Sequence, residues 1–206
     1  MPARVHKPVL IIVAGPNGAG KTTVTRQLRV HEWLEDAVYI NPDDVAKNKF
    51  GDWNSDDAVR KAAEYCAEWR EQCLRNHESL MFETVFSAQD KLDFLQRAIQ
   101  EGFFVRLFFV CTASPHINAS RVAKRVMEGG HSVPIPKIIS RYKKSIANCL
   151  VASQMANRTY VYDNSIDGEK ASLLFRLTDG RLKKKYCEDI PQWAVPILVE
   201  AASRER

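Results

Sequence analysis

PVLIIVAGPNGAGKTT, residues 8–23, decides the fold. Pro8 to Ala14 is a continuous aliphatic run ended by Gly15 and Pro16, the pattern of a short strand buried on both faces. Gly15, Pro16, Asn17, Gly18, Ala19, Gly20, Lys21 and Thr22 then match G-x-x-x-x-G-K-[ST], and a helix is predicted from Lys21 to about Trp33. Strand, glycine-rich turn and helix start are the context this motif needs. The glycines let backbone N–H groups turn inward, and these donors with the positive end of the helix can hold nucleotide phosphates. Lys21 is expected to reach the β- and γ-phosphates, Thr22 to place its hydroxyl on Mg²⁺, and Thr23 to complete the nucleotide-binding set.

Outward from this loop, apolar runs alternate with helical patterns. Strands are predicted at Ala37–Ile40, Leu80–Phe82, Phe103–Cys111 and Thr159–Tyr162. Helices are predicted from Asp56 to about His77, Ala88 to about Gln100, Pro115 to about Glu128 and Pro136 to about Met155. In the first of these, Val59, Ala63, Cys66, Cys73 and Leu74 are expected to form the apolar stripe, with Asp56 or Ser55 as cap. The expected class is an α/β P-loop NTPase: a mostly parallel sheet flanked by helices. The tail differs. Ala171 to Leu177, the turn Asp179-Gly180 and Arg181 to Cys187 read as a hairpin, followed by a helix from Pro191 to about Ser203 with proline in its first turn. Lys183, Lys184 and Lys185 are expected to guard an exposed edge strand.

The chain has 206 residues, which at about 100–200 residues per domain predicts one domain over residues 1–206. The net charge is +5, compatible with phosphate handling and undecided about nucleic acid. The five cysteines include no CxxC pair, so reduced thiols and no cysteine metal site are expected. No apolar run approaches the roughly 20 residues that span a bilayer. No basic segment followed by a longer apolar stretch opens the chain. The expectation is a cytoplasmic protein without a membrane partner.

The loop implies nucleotide binding, not a reaction. Transporter-type ATPases need an LSGGQ-like signature, which is absent. Motor and transporter types carry an apolar strand ending in an acidic residue, whereas Phe103–Cys111 runs into Thr112-Ala113-Ser114. An NKxD guanine reader fails at Asn48-Lys49-Phe50-Gly51. A kinase remains, acting on a small-molecule acceptor. Asp43, after the second strand, is a candidate base for an acceptor hydroxyl; alternatively Asp43 or Asp44 caps the next helix. Glu83, after Leu80–Phe82, is expected to face the crevice and to hold Mg²⁺ through water or bind an acceptor hydroxyl, with Thr84 and Ser87 adding hydrogen bonds. Arg121 and Arg125 share a helix face at i, i+4, and a loop of Gly129, Gly130, His131 and Ser132 leads to Arg141 on the next helix. Residues 115–142 therefore read as a mobile lid whose arginines stabilise the transferring phosphoryl and exclude water.

Together, GPNGAGKTT, INPDD, FETVFS, RVAKRVMEGGHSVP with a following RY, and YDNS resemble the zeta-toxin kinase family, over about residues 8–165. The resemblance implies ATP- and Mg²⁺-dependent phosphorylation of a nucleotide-sugar hydroxyl, in the best-known members the 3′-hydroxyl of UDP-N-acetylglucosamine. It implies Asp43 as general base, Glu83 and Thr84 as the acceptor-binding pair, Arg125 as a lid arginine, and Asn164 near the adenine. The second lid arginine of those toxins falls near His131, where this chain has none. An antitoxin is implied only as a separate chain. The other readings are a kinase of a nucleoside, sugar or antibiotic, and a nucleotide-gated ATPase that binds nucleic acid, the less expected partner.

Overall fold

The computed structural model describes residues 7–29, 31, 37–51, 55–130 and 132–204. Seven strands form one sheet in the order β2-β3-β1-β4-β5-β6-β7. Strands β1 (Val9–Ala14), β2 (Val38–Ile40), β3 (Leu80–Thr84), β4 (Phe104–Cys111) and β5 (Arg158–Asp163) run parallel. Strands β6 (Ser172–Thr178) and β7 (Arg181–Lys185) continue the sheet antiparallel. Asp179 and Gly180 make the hairpin turn with φ of 48° and 75°, the left-handed pair that a two-residue hairpin requires. β7 is the edge strand, with its lysines exposed.

The aliphatic run of β1 follows from its central place. Leu10, Ile12 and Ala14 enter one core with Phe82, Phe109 and Phe175, while Ile11 and Val13 enter the other with Met81, Phe108 and Val110. Alternation still operates, but both faces are covered, so both sets are apolar. Each fully buried Leu or Ile contributes about 1.5–3 kcal/mol. Helices α3 (Asp56–Arg75), α4 (Gln89–Gln100), α6 (Ile135–Ser153) and α7 (Val195–Ser203) supply the first core; α1 (Lys21–Leu28) lies with the second. Helix α5 (Pro115–Met127) leads into α6.

Several expectations are corrected. α1 ends at Leu28, capped by Arg29, and not near Trp33. α3 buries Ala58 and Ala62 in place of Val59 and Ala63, because the row stepping back from Cys66 by fours passes through the two small residues and lets the helix approach the sheet. Its cap is Ser55, whose side chain accepts from the Ala58 N–H. The short helix α2 (Pro42–Val45) is capped by Asn41, and neither Asp43 nor Asp44 is the cap; a π-helical turn (Ala46–Phe50) continues it. α7 starts at Val195, so its first-turn proline is Pro196 and not Pro191. The preceding turn buries Trp193, whose indole N–H donates to Asp163 Oδ1 at 3.1 Å and ties the C-terminal segment to the end of β5. Among the described residues no helix is long and apolar enough to cross a membrane.

Candidate functional site

The loop after β1 is set by close approaches. A Cβ on Gly15 would stand 2.0 Å from the Val110 carbonyl oxygen, and one on Gly18, at φ 78°, would stand 2.5 Å from the Asn118 carbonyl oxygen. Only glycine fits either position. Asn118 itself, fully buried on α5, donates through Nδ2 to the Asn17 carbonyl oxygen at 2.5 Å and accepts from the Thr112 hydroxyl. Asn164, after β5, donates through Nδ2 to the Ala19 carbonyl at 2.8 Å, while its backbone N–H donates to Cys111. Two asparagines therefore brace the loop. Replacing Asn118 by Ala leaves the Asn17 carbonyl without that donor. A stability loss of about 1–3 kcal/mol is expected, readable by thermal or urea unfolding.

Lys21 folds back over the loop, donating to the carbonyls of Gly15 at 2.8 Å and Pro16 at 3.1 Å. Burial of the ammonium lowers its pKa to about 8; Glu83 opposes that shift, and Arg125 and Arg141 add to it by like charge. The charges of Arg125 and Arg141 thus both reach Lys21. Arg141 also donates to Asn17 Oδ1 at 3.3 Å, which places it on the nucleotide loop. Arg125 is exposed on the last turn of α5, and that helix closes with Gly129 at φ 88° and the Gly130 N–H donating to the Arg125 carbonyl, a Schellman-type end. Arg121 points elsewhere: it pairs with Asp167 and donates to the Asn164 carbonyl at 2.7 Å. Gly18, Gly20, Thr23, Arg121, Asn164 and the 166–169 turn line a 270 Å³ cleft beside the loop. His131 lies outside the described residues.

On the other side of the loop, the Thr22 hydroxyl donates to Glu83 Oε2 at 3.1 Å and the Tyr39 phenol donates to Glu83 Oε1 at 3.1 Å. Burial, then the Glu83 charge, raises the Tyr39 pKa, so it stays protonated. Asn41 donates through Nδ2 to the Tyr39 oxygen at 3.1 Å and accepts the Asp43 N–H at 2.9 Å. Asp43 sits in the first turn of α2 with its side chain exposed. Glu83 and Thr84 divide their work: the Thr84 hydroxyl accepts from the Phe86 N–H at 3.0 Å, and the Thr84 carbonyl accepts from the Gly15 N–H. Phe86 is buried at φ 59°, and the loop holding it is pinned from α6 by Ser145 on the Val85 carbonyl and Asn148 on the Phe86 carbonyl. A backbone this unusual for an aromatic residue persists only where its surroundings over-determine it.

The residues present fit Mg²⁺. That ion takes oxygen donors, few of them from protein, and keeps room for phosphates and water; one hydroxyl and one carboxylate in contact suit it. Among the described residues no group of three or more His, Cys, Asp or Glu side chains forms a dedicated metal cage. The four buried cysteines are free, and burial pushes the Cys111 thiol beneath the loop up to about 12.

A parallel sheet with β1 at its centre, a phosphate-type loop at the carboxyl end of β1, and helices α5 and α6 carrying arginines over that loop define a P-loop kinase fold. Residues 1–172 match the Zeta toxin family, and the chain belongs to it. The structure resembles the AvrRxo1-ORF1:AvrRxo1-ORF2 complex solved with ATP, with a TM-score of 0.62 and 18% identity, covering 87% of this chain and 61% of that one. It resembles PezAT, a chromosomal toxin–antitoxin system of Streptococcus pneumoniae, with a TM-score of 0.58, 17% identity, and coverage of 84% and 75%. A candidate kinase of Chloroflexus aurantiacus follows at 0.52, 22% identity, and coverage of 66% and 80%. At these identities the likeness is one of fold. The chain spans about three fifths of the length of the chains it matches in the AvrRxo1-ORF1:AvrRxo1-ORF2 complexes, 60–61%. No curated protein matches the sequence.

Proposed function

We propose that residues 1–206 form one kinase domain that moves the γ-phosphoryl group of ATP to a hydroxyl of a small acceptor in the cytoplasm. The observation that carries the reading is the convergence of Lys21, Thr22 and Glu83 at the strand ends, joined through Tyr39 and Asn41 to the turn that bears the exposed Asp43. Gly15 to Thr23 hold the phosphates, and Arg121 and Asn164 line the cleft that takes the nucleoside. Thr22 and Glu83 hold Mg²⁺, which when bound supplies charge neutralisation at the phosphates. Asp43 accepts the acceptor's hydroxyl proton. The acceptor oxygen bonds to the γ-phosphorus as the bond to the β-phosphate oxygen breaks, and ADP leaves with that electron pair. Lys21, Arg125 and Arg141 neutralise the charge that spreads over the moving group.

Family membership supports a nucleotide sugar, UDP-N-acetylglucosamine first, as acceptor, held by Glu83, Thr84 and His131. It also supports a separate antitoxin chain as partner. Adding UDP-N-acetylglucosamine is expected to raise ADP release from ATP well above the acceptor-free rate. Stimulation by nucleosides or simple sugars alone would reassign the acceptor, and no stimulation by any hydroxyl compound would count against the kinase.

The Lys21 pKa gives a pH prediction. Phosphates favour the ammonium. Below about pH 8 the free protein already carries that charge, so ATP binds without proton uptake. Above it the free protein must first recruit a proton, and affinity falls by up to about tenfold per pH unit. Calorimetric titrations at pH 7 and 9, in buffers of different ionisation enthalpy, read both the affinity and the proton.

A further inference from the structure

We infer that Tyr39 and Asn41 are positioning residues, which hold the Glu83 carboxylate and the turn bearing Asp43 in one hydrogen-bonded frame. The inference rests on the kinase reading above and deepens it.

The register makes the contact. β2 pairs with β3 in parallel with Tyr39 opposite Met81, so Tyr39 stands two residues below Glu83 on the face that both share, and its phenol reaches up to the carboxylate. The direction of every bond is fixed. The Asp43 N–H can only donate, so the Asn41 oxygen faces it and the Asn41 amide must face Tyr39. Tyr39 therefore accepts from Asn41 and spends its proton on Glu83 Oε1. Thr22 donates to the other carboxylate oxygen. Thus donors run in one direction from the turn of Asp43 to Glu83, and the carboxylate closes the chain by accepting from the phosphate loop as well. Arg29 lies over the Tyr39 ring, 4.8 Å from its centre.

The chain has a consequence for the cation. Thr22 and Glu83 each have a second use if they hold Mg²⁺, and the Thr22–Glu83 bond is the one exchanged. Tyr39 then keeps Glu83 in its rotamer. Groups that orient a metal ligand in this way are worth about 10–100-fold in metal affinity or activity. A tyrosine with a merely structural role would affect stability and leave the metal alone.

The test is Tyr39→Phe, which keeps the ring under Arg29 and removes only the oxygen. Mn²⁺ binding to the ATP-loaded protein, followed by electron paramagnetic resonance, is expected to weaken about 10–100-fold. ATP affinity measured without divalent ion is expected to stay at the wild-type value. Asn41→Ser supplies a second variant: serine still caps the Asp43 N–H but is too short to reach Tyr39. It is expected to weaken Mn²⁺ binding less than Tyr39→Phe, since the bond to Glu83 survives. Unchanged Mn²⁺ affinity in Tyr39→Phe, or a lowered melting temperature as the sole effect, would overturn the inference. Wild-type protein that binds Mn²⁺ and ATP but phosphorylates no acceptor would fault the reading of function, and the comparison of Mn²⁺ affinities would still judge Tyr39.

Discussion

Asp43→Asn is expected to lower phosphate transfer to the acceptor about 10²–10⁴-fold while ATP affinity stays within about twofold. The separation follows from where Asp43 stands. It is on α2, after β2, two strands away from β1 and its phosphate loop. Its backbone N–H, not its carboxylate, makes the bond to Asn41, so the substitution leaves that cap in place. Losing a negative charge from the first turn of a helix costs only about 0.3–1 kcal/mol, and the fold is expected to survive. Asparagine matches the shape of aspartate and cannot accept the hydroxyl proton. Transfer at the wild-type rate would remove Asp43 as base. Loss of ATP binding together with transfer would show that the residue supports the site and not the proton step.

Arg125→Ala is expected to reduce kcat about 10²–10³-fold, with a far smaller change in ATP affinity. A charge on the moving phosphoryl group exists fully only in the transition state, and a lid arginine is useful there. The end of α5 depends on the Arg125 carbonyl, which accepts from Gly130, and alanine retains it. The variant also carries an internal check. Arg125 is one of the charges that hold the Lys21 pKa down, so its removal should move the pH break of ATP binding upward from about 8. An unchanged break with an unchanged kcat would place Arg125 outside the site.

The parts of this molecule written in short runs of sequence were legible. Gly15 to Thr22 announced the loop because close approach to Val110 and Asn118 admits no side chain at the glycines, and the neighbouring aliphatic run could only be a strand covered on both faces. The Asp179-Gly180 hairpin was equally plain, since few residue pairs accept that turn. Other features had no such signal. Asn118 braces Asn17 across 101 residues of chain, and Tyr39 meets Glu83 across 44. Neither pair is periodic, and the sheet alone brings them together. The α3 face was right at Cys66, Cys73 and Leu74 but one residue off in its first two turns, where the hydrophobic Val59 drew the stripe to 59 and 63 and the packing instead buries the small residues at 58 and 62. The start of α7 was read four residues early because Pro191 suits a first turn, whereas the chain first makes the turn that buries Trp193 against Asp163. Arg121 and Arg125 share a helix face, yet one binds the 164–167 turn and the other lies near Lys21; spacing could not divide them.

The chemistry ascribed to this site is the movement of a phosphoryl group to a hydroxyl. The most direct measurement follows the γ-phosphate of labelled ATP in the presence of a panel of nucleotide sugars, with the Asp43→Asn protein alongside. Label is expected in the acceptor, UDP-N-acetylglucosamine foremost, and is expected to be lost in the variant. Label found only as free phosphate, at equal rates in both proteins, would contradict that expectation.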